Sequence, residues 1–265
     1  VHGLNDLASA NPERLAVEME RFGEQHGDVA RGLVAQAVAQ RDGLVERLDS
    51  TFSLPELQGA PGVLLYDIES DPDARHDFLH GFLRLPRQSD GRWDLAAATY
   101  HPLLVMAEHG EQRSWLRLQR LLSRYDGWPI LHYGETETLS LRRLAQRQGA
   151  SDAQLRRLKR RLVDVHARIR SHWRLPLSSY GLKSVAAWRG FRWSQAGVDG
   201  ARALLWWRQW LGEGPKRRGS RHGLAWIFRY NQDDCRATWA VAEWLLKEDD
   251  LLKTGPDTDQ PTAGP

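Results

Sequence analysis

Apolar and polar positions follow two different periods along this chain, and the change falls near residue 60. Up to about residue 58, apolar residues recur at helical spacing, and Asn11 and Pro12 supply a cap and a first-turn proline. A breaker-rich stretch, "LPELQGAPG", then predicts a linker. From Val63 the run "VLLYDIE" is compact, aromatic and aliphatic, which is typical of a buried central strand.

After this strand, short apolar runs alternate with amphipathic stretches. The pattern predicts a meander of two more strands, then a helix, a short strand and a helix, and beyond Ala153 mostly helices ending in a long one at residues 224–249. This order predicts an α/β fold, a mixed sheet of about five strands flanked by helices, with an N-terminal helical extension. The expected division is a helical extension or connector at 1–58, a main domain at 60–248 and a disordered tail at 249–265.

The distribution of charge along the chain suggests a candidate binding partner. The chain of 265 residues carries a net charge of only +3, but arginine crowds "LRRLAQRQ", "LRRLKRRL" and "PKRRGSRHG". Such clusters suit a polyanion such as nucleic acid, although solvated helix faces explain them equally well. The twelve tryptophans are expected mainly in the core, and Trp206, Trp207 and Trp210 are alternatively a platform for stacking bases.

The same sequence disfavours several classes of protein. No apolar run approaches the roughly 18 residues of a membrane helix, and the first residues lack a signal-peptide layout. One cysteine, Cys235, allows neither an internal disulfide nor a multi-cysteine zinc site. We therefore expect a cytoplasmic protein without a membrane partner.

Two acids follow the first predicted strand, Asp67 and Glu69. Because side chains alternate between the faces of a strand, both carboxylates lie on one face, where like charges require protonation or a cation between them. Oxygen ligands of this kind select Mg²⁺ or Mn²⁺. The alternative is an exposed edge strand that carries two solvated acids.

Helical phase selects two further acids. Glu137 shares the inward apolar stripe of its predicted helix, whereas Glu135 points to the opposite side. In the last helix Asp234 lies one turn after Tyr230 on the inward stripe, and Asp233 falls toward the solvent. Four acids that converge from a strand and two helices indicate a two-metal site for in-line phosphoryl displacement, with a neighbouring phenol to orient the attacking water.

At this point the chain resembles a known family. "YDIESDP", "HYGETET" and "YNQDDCRAT" look like the three motifs of DEDD exonucleases, which have a ribonuclease-H-like fold. The tyrosine form is indicated, because the histidine form would place His where Arg229 stands. With "LVDVHARIR" and "YGLKSVAAWRGF", residues 60–247 resemble more narrowly the C-terminal ribonuclease-H-like domain of predicted RecB-family nucleases.

The resemblance implies a role for each matching residue. Asp67 and Glu69 would bind both ions, Tyr230 and Asp234 match the third motif, and Glu137 matches the second-motif acid, which is Asp in the wider superfamily.

Three more residues match less specifically. Asp164 would support the site or simply cap a helix, Lys183 would contact a substrate phosphate or be a surface lysine, and Asn231 would assist from within the third motif.

The resemblance also implies an activity and partners. The expected protein is a metal-dependent nuclease, a 3′–5′ exonuclease that uses two Mg²⁺ or Mn²⁺ ions on a single-stranded DNA or RNA end. Larger family members carry an upstream nuclease domain, so a separate or upstream nuclease domain is an expected partner. Two other readings remain, a non-catalytic nucleic-acid-binding scaffold and an endonuclease or resolvase on the same fold.

Overall fold

A computed structural model describes residues 2–23, 26–106, 110–213 and 218–254. The N-terminal part is helical, with α1 at Leu4–Ala8, α2 at Pro12–Glu20 and α3 at Ala30–Asp42. As predicted, the Asn11 side chain caps α2 by accepting from a backbone N–H of its first turn. Helix α3 ends at Gly43, whose φ of 69° favours glycine.

The prediction that the chain is helical up to about residue 58 is wrong beyond the end of α3. Glu46–Arg47 form a short strand, β1, which pairs antiparallel with Trp173–Arg174, strand β7. Hydrogen bonds also join α3 to the same region, because the Gln36 amide donates to the backbone oxygens of Leu175 and Leu177 at 2.9 and 3.1 Å. Helix α3 is therefore hydrogen-bonded to the chain that follows β7.

The main sheet is mixed and has five strands in the order β4-β3-β2-β5-β6. Strands β2, β3 and β4 form an antiparallel meander, and β5 and β6 run parallel to β2. The predicted α/β fold with a mixed sheet is thus confirmed, and β2 is its central strand rather than an exposed edge. The strands are β2 at Gly62–Asp71, β3 at His76–Pro86, β4 at Thr99–Leu104, β5 at Ile130–His132 and β6 at Leu162–Asp164.

Strand alternation divides the core between the two faces of this sheet. Val63 and Leu65 pack with α10 residues such as Trp239, whereas Leu64 and Tyr66 pack with α4 to α6 on the other side. The helices are α4 at Gly110–Arg124, α5 at Glu135–Arg147, α6 at Asp152–Arg161, α7 at Val165–His172, α8 at Leu182–Trp188, α9 at Gly200–Glu213 and α10 at Arg218–Thr254.

Helix α10 crosses the sheet over β2 and β3. The buried Cys235 thiol lies 3.6 Å from the Leu65 oxygen and 3.8 Å from the Gly81 oxygen. Near its end, the Asp249 carboxylate accepts from the backbone N–H groups of Ser53 and Leu54.

Helix α10 continues to Thr254, into the predicted tail, and residues 255–265 lie outside the described part. Among the described residues, no helix combines the length and apolarity that a membrane crossing requires.

Candidate active site

Three carboxylates converge where α10 passes over β2. Asp67 and Glu69 point from β2 toward the helix, and Asp234 points back from α10, so that one oxygen from each lies within 4.8 Å of the others. Glu69 and Asp234 are buried, and Asp67 is half-buried. The alternation along the strand and the phase of the helix, both read from the sequence, account for this convergence.

The cluster is electrostatically unfavourable as it stands. Burial, then the charge of Asp234, raises the pKa of Asp67 and of Glu69 well above the ordinary value. Burial likewise raises the pKa of Asp234 to about 6, although hydrogen bonds from Trp193 and Tyr230 act in the opposite direction. A bound cation would oppose these shifts, because it favours the charged form of each carboxyl group.

Asn231 is the neutral donor that faces the two β2 acids. Its amide nitrogen donates to Asp67 Oδ2 at 2.6 Å and approaches Glu69 Oε1 at 3.5 Å, and its oxygen accepts from the Tyr100 hydroxyl at 2.8 Å. The space for it depends on Gly81, the strand partner of Asp67, because a Cβ there would lie 1.6 Å from Asn231 Oδ1. A glycine inside strand β3 therefore permits the close approach.

Asp234 has a different set of neighbours. The Trp193 indole donates to Asp234 Oδ1 at 2.6 Å, and the Tyr230 hydroxyl interacts with the same carboxyl. Lys183 Nζ lies 5.4 Å from the centre of the Tyr230 ring and donates to the Val198 oxygen at 2.9 Å. The ammonium group lowers the pKa of Asp234 without forming an ion pair with it.

Glu137 lies in the first turn of α5, beside the cluster but outside the three-carboxylate group. It is buried, and its Oε2 has no hydrogen-bond partner among the described residues. Burial is the main cause that raises its pKa to about 7, and Asp164 and Asp234 add to it. A buried carboxylate oxygen without a protein partner is costly, which is expected where an ion or water completes the site.

Asp164 fixes the turn that carries Glu137. As the N-cap of α7, its Oδ1 accepts from the backbone N–H groups of His166 and Ala167 at 2.9 and 3.2 Å. The same oxygen accepts from Gly134 N, just before α5, at 3.0 Å. Asp164 thus caps one helix and holds the start of another.

Some details of the sequence interpretation are wrong. Asp233 is buried rather than near solvent, because its carboxylate accepts from the backbone and the hydroxyl of Ser194. Trp207 and Trp210 are buried in the core, where Trp207 stacks on Phe78 at 4.5 Å, so they offer no platform for bases. Glu135 is exposed on the opposite side of the helix from Glu137, as predicted.

Three residues that contact or shape the candidate site were not predicted from the sequence. Trp193 and Tyr100 carried no motif signal, because their contacts join segments far apart in the chain. Gly81, a lone glycine within an apolar run, was a usable but overlooked sign of close packing.

The donor set fits a divalent cation. Every potential ligand is a carboxylate oxygen, which Mg²⁺ and Mn²⁺ prefer. The raised pKa values and the unpartnered Glu137 oxygen are both expected of a site that is complete only with positive charge bound.

A family model described as RNase_H superfamily matches residues 64–246. The match runs from β2 to α10 and includes every acid of the candidate site. No curated protein and no solved structure matches the chain significantly.

Proposed function

The chain belongs to the ribonuclease H superfamily, and from this premise we propose that it is a metal-dependent nuclease that hydrolyses phosphodiester bonds in DNA or RNA. The observation that carries the proposal is the buried convergence of Asp67, Glu69 and Asp234 from two different elements. In finer detail, we propose a 3′–5′ exonuclease of the tyrosine type, with residues 60–248 as the catalytic domain and 1–58 as a helical connector.

Asp67, Glu69 and Asp234 would hold divalent ions, with Glu137 supplying a further oxygen from α5. When bound, two such ions supply an activated water and stabilisation of the leaving oxygen. Asn231 keeps the Asp67 carboxylate in place through its 2.6 Å hydrogen bond. Asp164 acts on Glu137 indirectly, because it fixes the turn before α5.

Tyr230 is suited to orient the attacking water. Burial and the neighbouring Asp234 raise its pKa, so the phenol keeps its proton and remains a donor at neutral pH. Lys183 is exposed next to it and carries no carboxylate ion pair among the described residues, which fits contact with a substrate phosphate.

The experiment that tests this function uses single-stranded DNA and RNA labelled at the 5′ or the 3′ end, incubated with Mg²⁺, Mn²⁺ or EDTA. A 3′–5′ exonuclease shortens the 5′-labelled strand one nucleotide at a time and releases 3′ label as mononucleotide, only with metal. An endonuclease gives internal fragments at once.

Two variants make the test specific. Asp67→Asn removes one charge from the cluster and should abolish cleavage. The control, Glu135→Gln, removes one exposed charge near Glu137 and should cleave as wild type does. Cleavage by Asp67→Asn near the wild-type rate would refute the assignment of the site, and no cleavage by the wild-type protein of any substrate would refute the function.

A further inference from the structure

A basic groove lies at the meander edge of the sheet, between edge strand β4 and helix α4. It has a volume of about 380 Å³. Three arginines, Arg117, Arg120 and Arg124, form one wall, and Tyr100 and His101 of β4 form the other. None of the described residues that line it is acidic.

Helix α4, which forms one wall of the groove, belongs to a positively charged part of the chain. Residues 110–161 contain twelve Lys and Arg against five Asp and Glu, a net of +7, whereas the whole chain carries +3. The three groove arginines are exposed, and none forms an ion pair with an acid of the described residues. Their charge is therefore available to an anion.

The spacing of the arginines matches a phosphate chain. Positions 117, 120 and 124 lie on one side of α4 and rise along its axis by about 4.5 and then about 6 Å. Stacked nucleotides in one strand advance about 3.4 Å each, so the stripe covers roughly three phosphates. Guanidinium groups bind such oxygens by paired hydrogen bonds.

The opposite wall offers a second, independent sign of a ligand. His101 Nε2 is buried and has no hydrogen-bond partner among the described residues. Burial, with Arg124 and Arg84 nearby, lowers the pKa of this imidazole, so the ring is neutral at physiological pH. A buried ring nitrogen without a partner is rare in proteins, and this one belongs to a residue that lines the groove.

Edge strand β4 lies between the groove and the carboxylate cluster. His101 and Leu103 lie on the α4 face of the sheet, which carries the groove, whereas the Tyr100 side chain lies on the α10 face, where it donates to Asn231 at 2.8 Å, and Asn231 donates to Asp67 at 2.6 Å. A nucleic-acid strand that leads from the cluster to the groove would therefore pass around β4.

We propose that this groove binds the sugar-phosphate backbone of the nucleic-acid strand that leads away from the carboxylate cluster. The proposal rests on the proposed nuclease function for the identity of the strand. The cluster binds the reacting phosphate, and the groove binds phosphates several nucleotides away without reading their sequence.

The test measures binding without cleavage. A fluorescein-labelled single strand of 25 nucleotides is titrated by anisotropy in EDTA over a range of salt concentrations. Arg117→Ala/Arg120→Ala removes two groove cations, and Arg14→Ala/Arg21→Ala removes two exposed cations from α2 and its C-terminal cap as the matched control. All four side chains are exposed, so equal melting temperatures confirm that each variant folds.

For two lost phosphate contacts, the slope of log affinity against log salt should fall by about 1.4, with roughly tenfold weaker binding at low salt. The control should change the slope clearly less. Equal losses from the two variants, or no loss from the groove variant, would overturn the proposal. A groove variant that loses as much affinity for a labelled oligoglutamate also overturns it, since the groove then attracts any polyanion.

The binding result is independent of catalysis. If the groove variant loses affinity but the wild-type protein cleaves nothing, the nuclease function is refuted and the proposal that the groove binds nucleic acid is kept. If the wild-type protein cleaves and the groove variant binds normally, the groove proposal is refuted and the nuclease function is not.

Discussion

Replacing Asp234 with Asn should stabilise the metal-free protein. The amide has nearly the shape of the carboxyl and keeps an oxygen to accept from Trp193, but it removes one buried charge that repels Asp67 and Glu69. In the folded state the pKa of Asp234 is raised from 3.8 to about 6. At about 1.4 kcal/mol per unit, ionising it in the fold costs on the order of 3 kcal/mol.

The direction in which stability changes with pH follows from proton linkage. A folded-state pKa above the unfolded value means that the folded protein binds more protons, so the wild-type free energy of unfolding falls as pH rises from about 4 to about 6 and above. The Asp234→Asn variant has no carboxyl group at this position, so its free energy of unfolding does not fall for this reason. At pH 8 in EDTA we expect the variant to gain about 2 to 3 kcal/mol, or roughly 5–10 °C in melting temperature. The difference should vanish near pH 4.

Thermal unfolding in EDTA between pH 4 and pH 8 measures this difference. Asp233→Asn is the matched control, because it removes the neighbouring buried charge, whose carboxylate accepts two hydrogen bonds from Ser194. That variant should lose stability or leave it unchanged. Saturating Mn²⁺ should reverse the order, since metal at a thousand times its dissociation constant stabilises only the wild type, by about 4.1 kcal/mol, which exceeds the gain of the variant. A wild type more stable than Asp234→Asn in EDTA at pH 8 would refute the reasoning.

Three further changes test single contacts. Tyr230→Phe should slow single-turnover cleavage on the order of 100-fold while Mn²⁺ affinity is kept, and an unchanged rate would make Tyr230 a packing residue. Gly81→Ala places a methyl group 1.6 Å from Asn231 Oδ1, so it should lower the melting temperature and the cleavage rate together. Glu137→Gln should weaken Mn²⁺ binding above pH 7 more than Glu135→Gln does, because only Glu137 is buried with a pKa of about 7; equal titration curves would contradict this.

The acids of the candidate site were predictable because their placement follows local periods. A period of two puts Asp67 and Glu69 on the same face of β2, and a period of 3.6 puts Tyr230 and Asp234 on one stripe of α10. The same rules predict the central strand, since "VLLYDIE" has apolar residues for both faces of a covered sheet. These features need no knowledge of which segments meet.

The remaining parts depend on contacts between distant segments. Asn231 and Tyr100 are 131 residues apart in the chain, and Trp193 and Asp234 are 41 apart, so no local pattern links them. Strand β6 has only three residues between two helices, too few to show alternation. Helical phase alone misplaced Asp233, because the segment at Ser194 packs over that side of α10 and supplies its donors.

Two described acids outside the site are neutralised by arginine, and the contrast between them and the site acids is a physical argument for bound cations. Asp71, two residues after Glu69, accepts from the Arg208 guanidinium at 2.9 and 2.6 Å, which lowers its pKa to about 2. Asp249 likewise pairs with Arg47 at 2.8 Å.

No described arginine or lysine forms such a pair with the four site acids, Asp67, Glu69, Glu137 and Asp234. Buried carboxylates without a cation are costly, and the protein neutralises Asp71 and Asp249 with arginine. The four site acids receive no such group from the described residues, so their charge is left to be neutralised by ions from solution.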